Sequence, residues 1–330
     1  MRQRCVSLST WMLGFLAAIQ SVQATVHTAS GSTDQRQSNA SVDASSHVHE
    51  SDSTMWTGWL ADASTMLDPS GWSLAEKLLF CAVIIIAMEI LQFITAHLGA
   101  WLRLDTIPVR GKHLDEFSST DHVFVTISKI QTGPFVYFLL SYWMSEQNIL
   151  WSLQDATLAN VILPVPLMFI VFDFFYTIMH WALHIKAVYG FIHKHHHHQK
   201  APSRAVVDAV NVHPVEFILG EYNHLWTMYL IATCLEMPIH ILGALIFVAS
   251  GGILAGLNHT RYDVEIKFFG INLYDSKAHD VHHRIPQSNY GQYTVFWDWV
   301  FGTFRPYNGK DRVNPASQLD PATGKTKKNE

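Results

Sequence analysis

Cysteine is nearly absent: the 330-residue chain has three, Cys5 in an N-terminal leader and Cys81 and Cys234 in apolar segments. That excludes a disulfide framework and a cysteine-based metal site. Charge is also sparse, at 15% of residues, against 49% apolar. A soluble core of this size would carry more charge, so the balance points to a membrane protein. The net charge of -5 has no basic concentration, which excludes a nucleic-acid partner. Any metal must rest on histidine and carboxylate, and the chain has 20 histidines.

Those histidines are clustered. His180-Trp-Ala-Leu-His184 is followed by His193-Lys-His-His196-His197, and His279-Asp-Val-His282-His283 repeats the second spacing more than eighty residues later. Helical residues four apart are separated by about 40° around the axis, and residues three apart by about 60°. His180 and His184 are therefore expected to share one face, and so are His193, His196 and His197. His195 and His198 fall about 160° and 140° from His193, away from that face. Eight imidazoles aimed at a common point exceed the four ligands of one zinc ion and suit two metal ions. One histidine alone is more often a core or surface residue than a ligand, but three clusters with matched spacing predict a metal site.

Residues 1–24 read as a signal peptide or signal anchor, with Arg2 and Arg4 before an apolar run and Val22-Gln-Ala24 before the cleavage point. Residues 25–73 are rich in Ser, Thr, Asp and Gln and predict a disordered, luminal segment. Asn39-Ala-Ser41 is a glycosylation acceptor there, while His47 and His49 read as incidental. Apolar spans follow at 75–102, 123–144 and 159–179, each long enough for a hydrocarbon core of about 30 Å. A fourth apolar region, 215–258, is broken at Glu236-Met-Pro238 and predicts a helical hairpin turning near Pro238.

Arg103, Arg110 and Lys112 follow the first span, and the loop 145–155 has no Lys or Arg. Lys186, Lys194, Lys200, Arg204, Arg261, Lys267 and Arg284 flank the histidines. By the positive-inside rule the clusters face the cytosol. The polar residues 308–330 form a cytosolic tail in which Lys327 and Lys328 match a dilysine signal for the endoplasmic reticulum. The fold class expected is an all-α integral membrane protein. It has about four transmembrane helices over residues 74–307, the hairpin included, and a cytosolic, histidine-rich catalytic cap.

Ligand histidines usually donate their second N–H to a carboxylate or carbonyl. Asp280, Asp173 and Glu216 are the acids available. His213, in His-Pro-Val-Glu216, and His259, at the end of the hairpin, are further candidate ligands. Glu221, Asn223 and His224 are costly in lipid and are expected to face the interior. Trp181, Phe191 and Trp297 are candidate walls of an apolar substrate tunnel.

The order H-x-x-x-H, H-x-x-H-H followed by Ala201-Pro202, His213-Pro-x-Glu216 and H-D-x-H-H resembles the fatty acid hydroxylase/sterol desaturase superfamily. Asn289-Tyr-Gly291 and Trp297-Asp-x-x-Phe-Gly-Thr303 add to the likeness. The resemblance covers about residues 173–306. It implies an enzyme of the endoplasmic reticulum membrane with two iron ions held by histidines in a cytosolic cap over four transmembrane helices. Such enzymes use dioxygen and electrons from NAD(P)H, delivered through a membrane-anchored b-type cytochrome and its reductase. They hydroxylate, demethylate or desaturate lipids drawn from the bilayer. Where sterol-acting members often read His-Ser-Gly-Tyr-Asp, this chain has His259-Thr-Arg-Tyr-Asp263, which departs from the sterol pattern.

The reading is a lipid hydroxylase, with desaturation or epoxidation as alternatives on the same site. A zinc transporter or histidine-rich buffer is the alternative from another class. Transporters place ionisable ligands at the bilayer midplane, whereas these clusters lie at one interface.

Overall fold

The computed structural model describes residues 69–308 apart from 111, 112, 115 and 270. The leader, Asn39, His47, His49 and the lysines of the tail lie outside the described residues. Residues 69–73, within the segment expected to be disordered, begin with a helical turn, Pro69–Gly71.

Among the described residues, four helices are long and apolar enough to cross a membrane. Helix α1, Leu74–Trp101, starts on a capping box in which Ser73 and Glu76 satisfy each other's backbone N–H groups. Most of its length is apolar and outward-facing, including Leu78, Ile86, Ile90 and Phe93. In water such a face would be a liability; in hydrocarbon it is the favoured arrangement. Helix α2, Ser119–Ser145, opens on a second capping box, Ser118 with Asp121, and carries Pro134 inside it.

Strand β1, Ile149–Leu150, precedes helix α3, which occupies Pro164–Leu183 with proline at its first turn. A short helical lead-in from Leu158 extends that span. Helix α4, Pro214–Met228, also starts on proline and runs on as a π-helix, Tyr229–Cys234. The chain reverses through Glu236, whose φ is 52°. Strand β2, Ile239–His240, then leads into helix α5, Ile241–Asn258. The hairpin expected over 215–258 is thus present, with its turn at 235–238.

α1 packs on α2 and α5, α4 on α2 and α3, and α5 on α3, which closes a ring of five helices. Its centre is filled by Phe135, Leu139, Trp143, Met168, Phe172, Met228, Ile231, Ala244 and Phe247. At one end of the ring β1 and β2 pair in parallel, Ile149 opposite Ile239. The termini nearest the histidines are at the other end: α3 finishes at Leu183, α4 starts at Pro214 and α5 finishes at Asn258.

Beyond α5, strands β3, Glu265–Phe268, and β4, Ile271–Asp275, form an antiparallel hairpin. Helix α6, Ser276–Arg284, and helix α7, Phe296–Phe301, complete the cap. The two small sheets are the departure from a purely helical fold. Thr106 forms an isolated bridge to Tyr262, and Gly99 makes that closure possible: a Cβ there would lie 2.2 Å from the Tyr262 ring.

Candidate metal centre

Nine histidines meet in two adjoining groups. His180, His184, His193, His197 and His282 form the first, and His196, His259, His279 and His283 the second; within each, one ligand atom per residue lies within 4.8 Å of the others. The groups abut, with the His197 and His283 rings 5.0 Å apart and His196 and His197 5.8 Å apart.

The clusters are not each directed at one point, as the helical-face reading expected. In both H-x-x-H-H segments the residues four apart share a group and the third goes to the other. His193 and His197 join the first group and His196 the second; His279 and His283 join the second and His282 the first. In the α-helix Ser276–Arg284 the residues three and four along from His279 lie about 100° apart, on either side of it, so a helix with both flanks buried can send them to different groups. Residues 193–198 are not a regular α-helix but a turn running into a 3-10 helix at His196–His198, and they divide in the same way.

Ring orientation is set by what takes the Nδ1 hydrogen. His180 donates it to the Tyr290 carbonyl at 2.8 Å, His282 to Ser288 at 2.7 Å, His283 to Gln199 at 2.9 Å and His259 to Ala255 at 2.9 Å. His193 donates to the Glu216 carboxylate at 2.7 Å. A neutral imidazole carries one hydrogen, so each of these five presents a bare Nε2 lone pair. Burial, followed for most by repulsion from neighbouring imidazoles, holds His193, His196, His197, His279, His282 and His283 well below the usual histidine range. Burial takes His184 down to about 3.

The lone pairs face one another. Nε2 of His180 and of His197 each lie 3.0 Å from Nε2 of His193, and His282 Nε2 lies 3.0 Å from that of His197. In the second group the separations are 3.3 Å for His196–His259, 3.2 Å for His259–His279 and 3.1 Å for His279–His283. His180 and His193 have both committed their hydrogens elsewhere, so their contact is lone pair against lone pair and repulsive. A cation between them removes the conflict. Two nitrogens bound at right angles about 2.1 Å from one ion lie about 3.0 Å apart. His184 Nε2 is buried with no protein partner, as the same site requires of a ligand atom. The residues therefore fit two histidine-bound cations, and imidazole-rich sites suit iron, copper and zinc.

The remaining expected site residues are placed differently. Glu216 touches a histidine of the first group through Oε1, while its Oε2 is buried without a partner. Asp280 does not contact an imidazole. It lies between Arg261 at 2.7 Å and Arg284 at 3.0 Å, and Arg261 in turn holds the Ile107 and Pro108 carbonyls. Asp173 also misses the histidines, accepting the backbone N–H groups of Gln292, Tyr293 and Thr294. His213 is outside both groups; its Nδ1 accepts from Val215 N and caps α4. His195 turns to Asn211 and Asp121 at 2.9 and 3.0 Å, and His198 is exposed. Trp181 and Phe191 face outward, and Trp297 donates its indole N–H to Ile170 O. Asn223 and His224 are interior, as expected of polar residues on this helix.

Asp298 carries a function that sequence reasoning did not assign. It accepts from Tyr290 N at 2.7 Å, Gly291 N at 2.9 Å and Thr303 Oγ1 at 2.6 Å. With Asp173 on the other side, it fixes loop 290–294 so that the Tyr290 carbonyl meets His180. Asn289, at φ 56°, starts this loop and ties Ala278 O to Arg305. The sequence signal for this loop is the Asn289-Tyr-Gly291 and Trp297-Asp-x-x-Phe-Gly-Thr303 pattern.

Helices of membrane-spanning length beneath paired polyhistidine groups define a class of membrane proteins whose histidines could hold metal. The Fatty acid hydroxylase family profile matches residues 165–303. The chain is 31% identical to a Delta(7)-sterol-C5(6)-desaturase of Nicotiana tabacum over 129 residues, 38% of this chain and 44% of the relative. It is 29% identical to methylsterol monooxygenase 1 of Rattus norvegicus over 138 residues, 41% of this chain and 44% of the relative. With protein CER1-like 2 of Arabidopsis thaliana the identity is 22% over 199 residues, 57% of this chain and 31% of the relative. The chain spans less than half the length of these curated relatives, and no solved structure matches it. Over the domain so matched, the chain is similar to the fatty acid hydroxylase/sterol desaturase superfamily.

Proposed function

We propose that this protein is a membrane-embedded lipid oxygenase. It hydroxylates a C–H bond of a sterol-like or other bulky lipid, with two iron ions held by the paired histidine groups. The observation that carries the reading is the facing of bare Nε2 lone pairs in two abutting groups, five histidines in one and four in the other. A buffer or transporter for zinc has no use for two adjoining sites whose ring orientations are fixed by separate carbonyls and a carboxylate.

The reaction balances as lipid C–H plus dioxygen, two electrons and two protons giving lipid C–OH and water. Iron bound by these histidines supplies the reduction of dioxygen that C–H insertion requires. The protein's own contribution is orientation and exclusion of water. Tyr290 O, Ser288 O, Gln199 O, Ala255 O and Glu216 hold five imidazoles in one tautomer. The apolar ring of helices admits lipid from the bilayer, and the cap receives electrons from NAD(P)H by way of a membrane-anchored b-type cytochrome and its reductase. The proposed location is the endoplasmic reticulum membrane with the cap in the cytosol. The lysines flanking the histidines support it.

The test is to supply ¹⁸O₂ and NADPH to microsomes containing the protein and to analyse the lipids by mass spectrometry. A product heavier by one labelled oxygen is expected. An unlabelled new double bond would make the enzyme a desaturase, and label entering an existing alkene an epoxidase. Metal content without NADPH-dependent oxygen uptake would return the reading to a zinc-binding protein.

A further inference from the structure

Between the five helices lies a cavity of about 150 Å³ whose lining includes Glu216 and Tyr176, neighbours of the first histidine group. Glu216 lines it with Oε1 on His193, and Tyr176 lines it with its ring 5.4 Å from that of His180. His224 lies eight residues further along the same helical run, a rise of about 12 Å. There it meets Tyr293, and both residues are 4% exposed.

The hydrogen bonding of this pair has one consistent direction. His224 Nδ1 lies 3.0 Å from the Glu221 carbonyl, which can only accept, so Nδ1 carries the hydrogen. His224 Nε2 must therefore accept, and the Tyr293 hydroxyl, 3.0 Å away, donates to it. The phenol's single hydrogen is committed, and its oxygen keeps a free accepting lone pair. Space for the pair comes from Gly251, where a Cβ would lie 2.9 Å from Tyr293 Oη and 3.3 Å from His224 Nε2.

The cavity's other polar groups are the Tyr176 and Thr132 hydroxyls, the Glu221 carboxyl and the Glu216 carboxyl, whose Oε2 has no partner. Gln92 and Gln292 can donate or accept, and no Lys or Arg lines the space. The remainder is apolar, with Met88, Phe135, Phe172, Phe217 and Val248. Such a chamber disfavours a carboxylate or phosphate headgroup and leaves an ester or an alkane without a donor to offer. It suits a neutral lipid carrying a hydroxyl group.

We propose that Tyr293, oriented by His224, anchors the hydroxyl of a neutral lipid in this cavity, with the reacting end towards Glu216 and His193. This rests on the reading of the protein as a lipid oxygenase and names the substrate class that its chamber selects.

The test uses full-length, metal-loaded protein in detergent and measures binding of cholesterol against 5-cholestene, octadecan-1-ol against octadecane, and stearate. At least one alcohol is expected to bind about tenfold more tightly than its deoxy partner and than stearate. Tyr293→Phe keeps the ring packing on Phe169 and Phe172 and should bring that preference below about twofold with metal content unchanged. His224→Gln retains an acceptor for the phenol and should keep part of the preference. Equal binding of both alcohols and their deoxy partners by the wild type, absence of binding by either alcohol, or a Tyr293→Phe protein that still discriminates, would overturn the anchor. Label from ¹⁸O₂ entering a lipid would stand regardless, and a preference for the alcohol without turnover would instead count against the oxygenase.

Discussion

At the scale of single residues, the two groups make separable demands. Replacing His282 by Ala removes a ligand atom from the first group only, and replacing His259 by Ala removes one from the second only. Each variant is expected to fall from two metal ions per chain towards one, and the double variant towards none, by elemental analysis of purified protein. His195→Ala should keep both ions, because its ring faces Asn211 and Asp121. Equal loss in His195→Ala and His282→Ala would remove the grouping. A carboxylate holding several backbone N–H groups is the other residue-scale feature. Asp298→Asn keeps the shape but weakens charge-assisted bonds to Tyr290 and Gly291, at a cost of about 1.5–3 kcal/mol. A lowered thermal midpoint with partial loss of metal from the first group is expected, since the Tyr290 carbonyl then no longer fixes His180.

At the scale of elements, the spans were legible. Ser73 with Glu76 and Ser118 with Asp121 form capping boxes that open the helices one and four residues ahead of the apolar runs at 75 and 123. The hairpin was legible too, since Pro238 cannot continue a helix. The conformation of residues 193–198 was not, because neighbouring imidazoles give no periodic signal separating an α-helical turn from a 3-10 one. His213 misled for a related reason. Next to Pro214, at the start of a helix, its ring is worth more to the chain as a cap than as a ligand. An element-scale prediction concerns the closure of α1 on the cap. Gly99→Ala would force the new Cβ into the Tyr262 ring, which follows His259 by three residues. Overpacking of this kind costs about 1–3 kcal/mol, and the thermal midpoint should fall together with metal content of the second group. A variant as stable as the wild type would show that Tyr262 can give way freely.

For the molecule as a whole, the ring of helices places β1 with β2 at one end and the histidines at the other. Single cysteines at Gln147 and Lys267, both exposed, should therefore report opposite faces of the membrane when the native cysteines are replaced by serine. In sealed microsomes a membrane-impermeant maleimide is expected to label Lys267→Cys directly, and Gln147→Cys only after permeabilisation. Labelling of both from outside would contradict the crossing number, and the reverse pattern would contradict a cytosolic cap.

The chain by itself determined which chemistry is open to this protein. Three cysteines exclude thiolate sites, long uncharged runs suit a bilayer, and three histidine clusters of matched spacing suit a metal site. These follow from composition and local periodicity, which do not depend on how distant segments meet. Only the tertiary structure decided how the histidines are divided. Whether His196 joins His197 or His259 depends on the crossing of α3, α5 and α6 and on the carbonyl that captures each Nδ1 hydrogen. Asp280 and Asp173 were drawn away from the imidazoles by the same kind of competition, the first by two guanidinium groups and the second by three backbone N–H groups. Those partners lie far apart along the chain, and their claims on a buried group arise only when folding removes the water that would otherwise satisfy it.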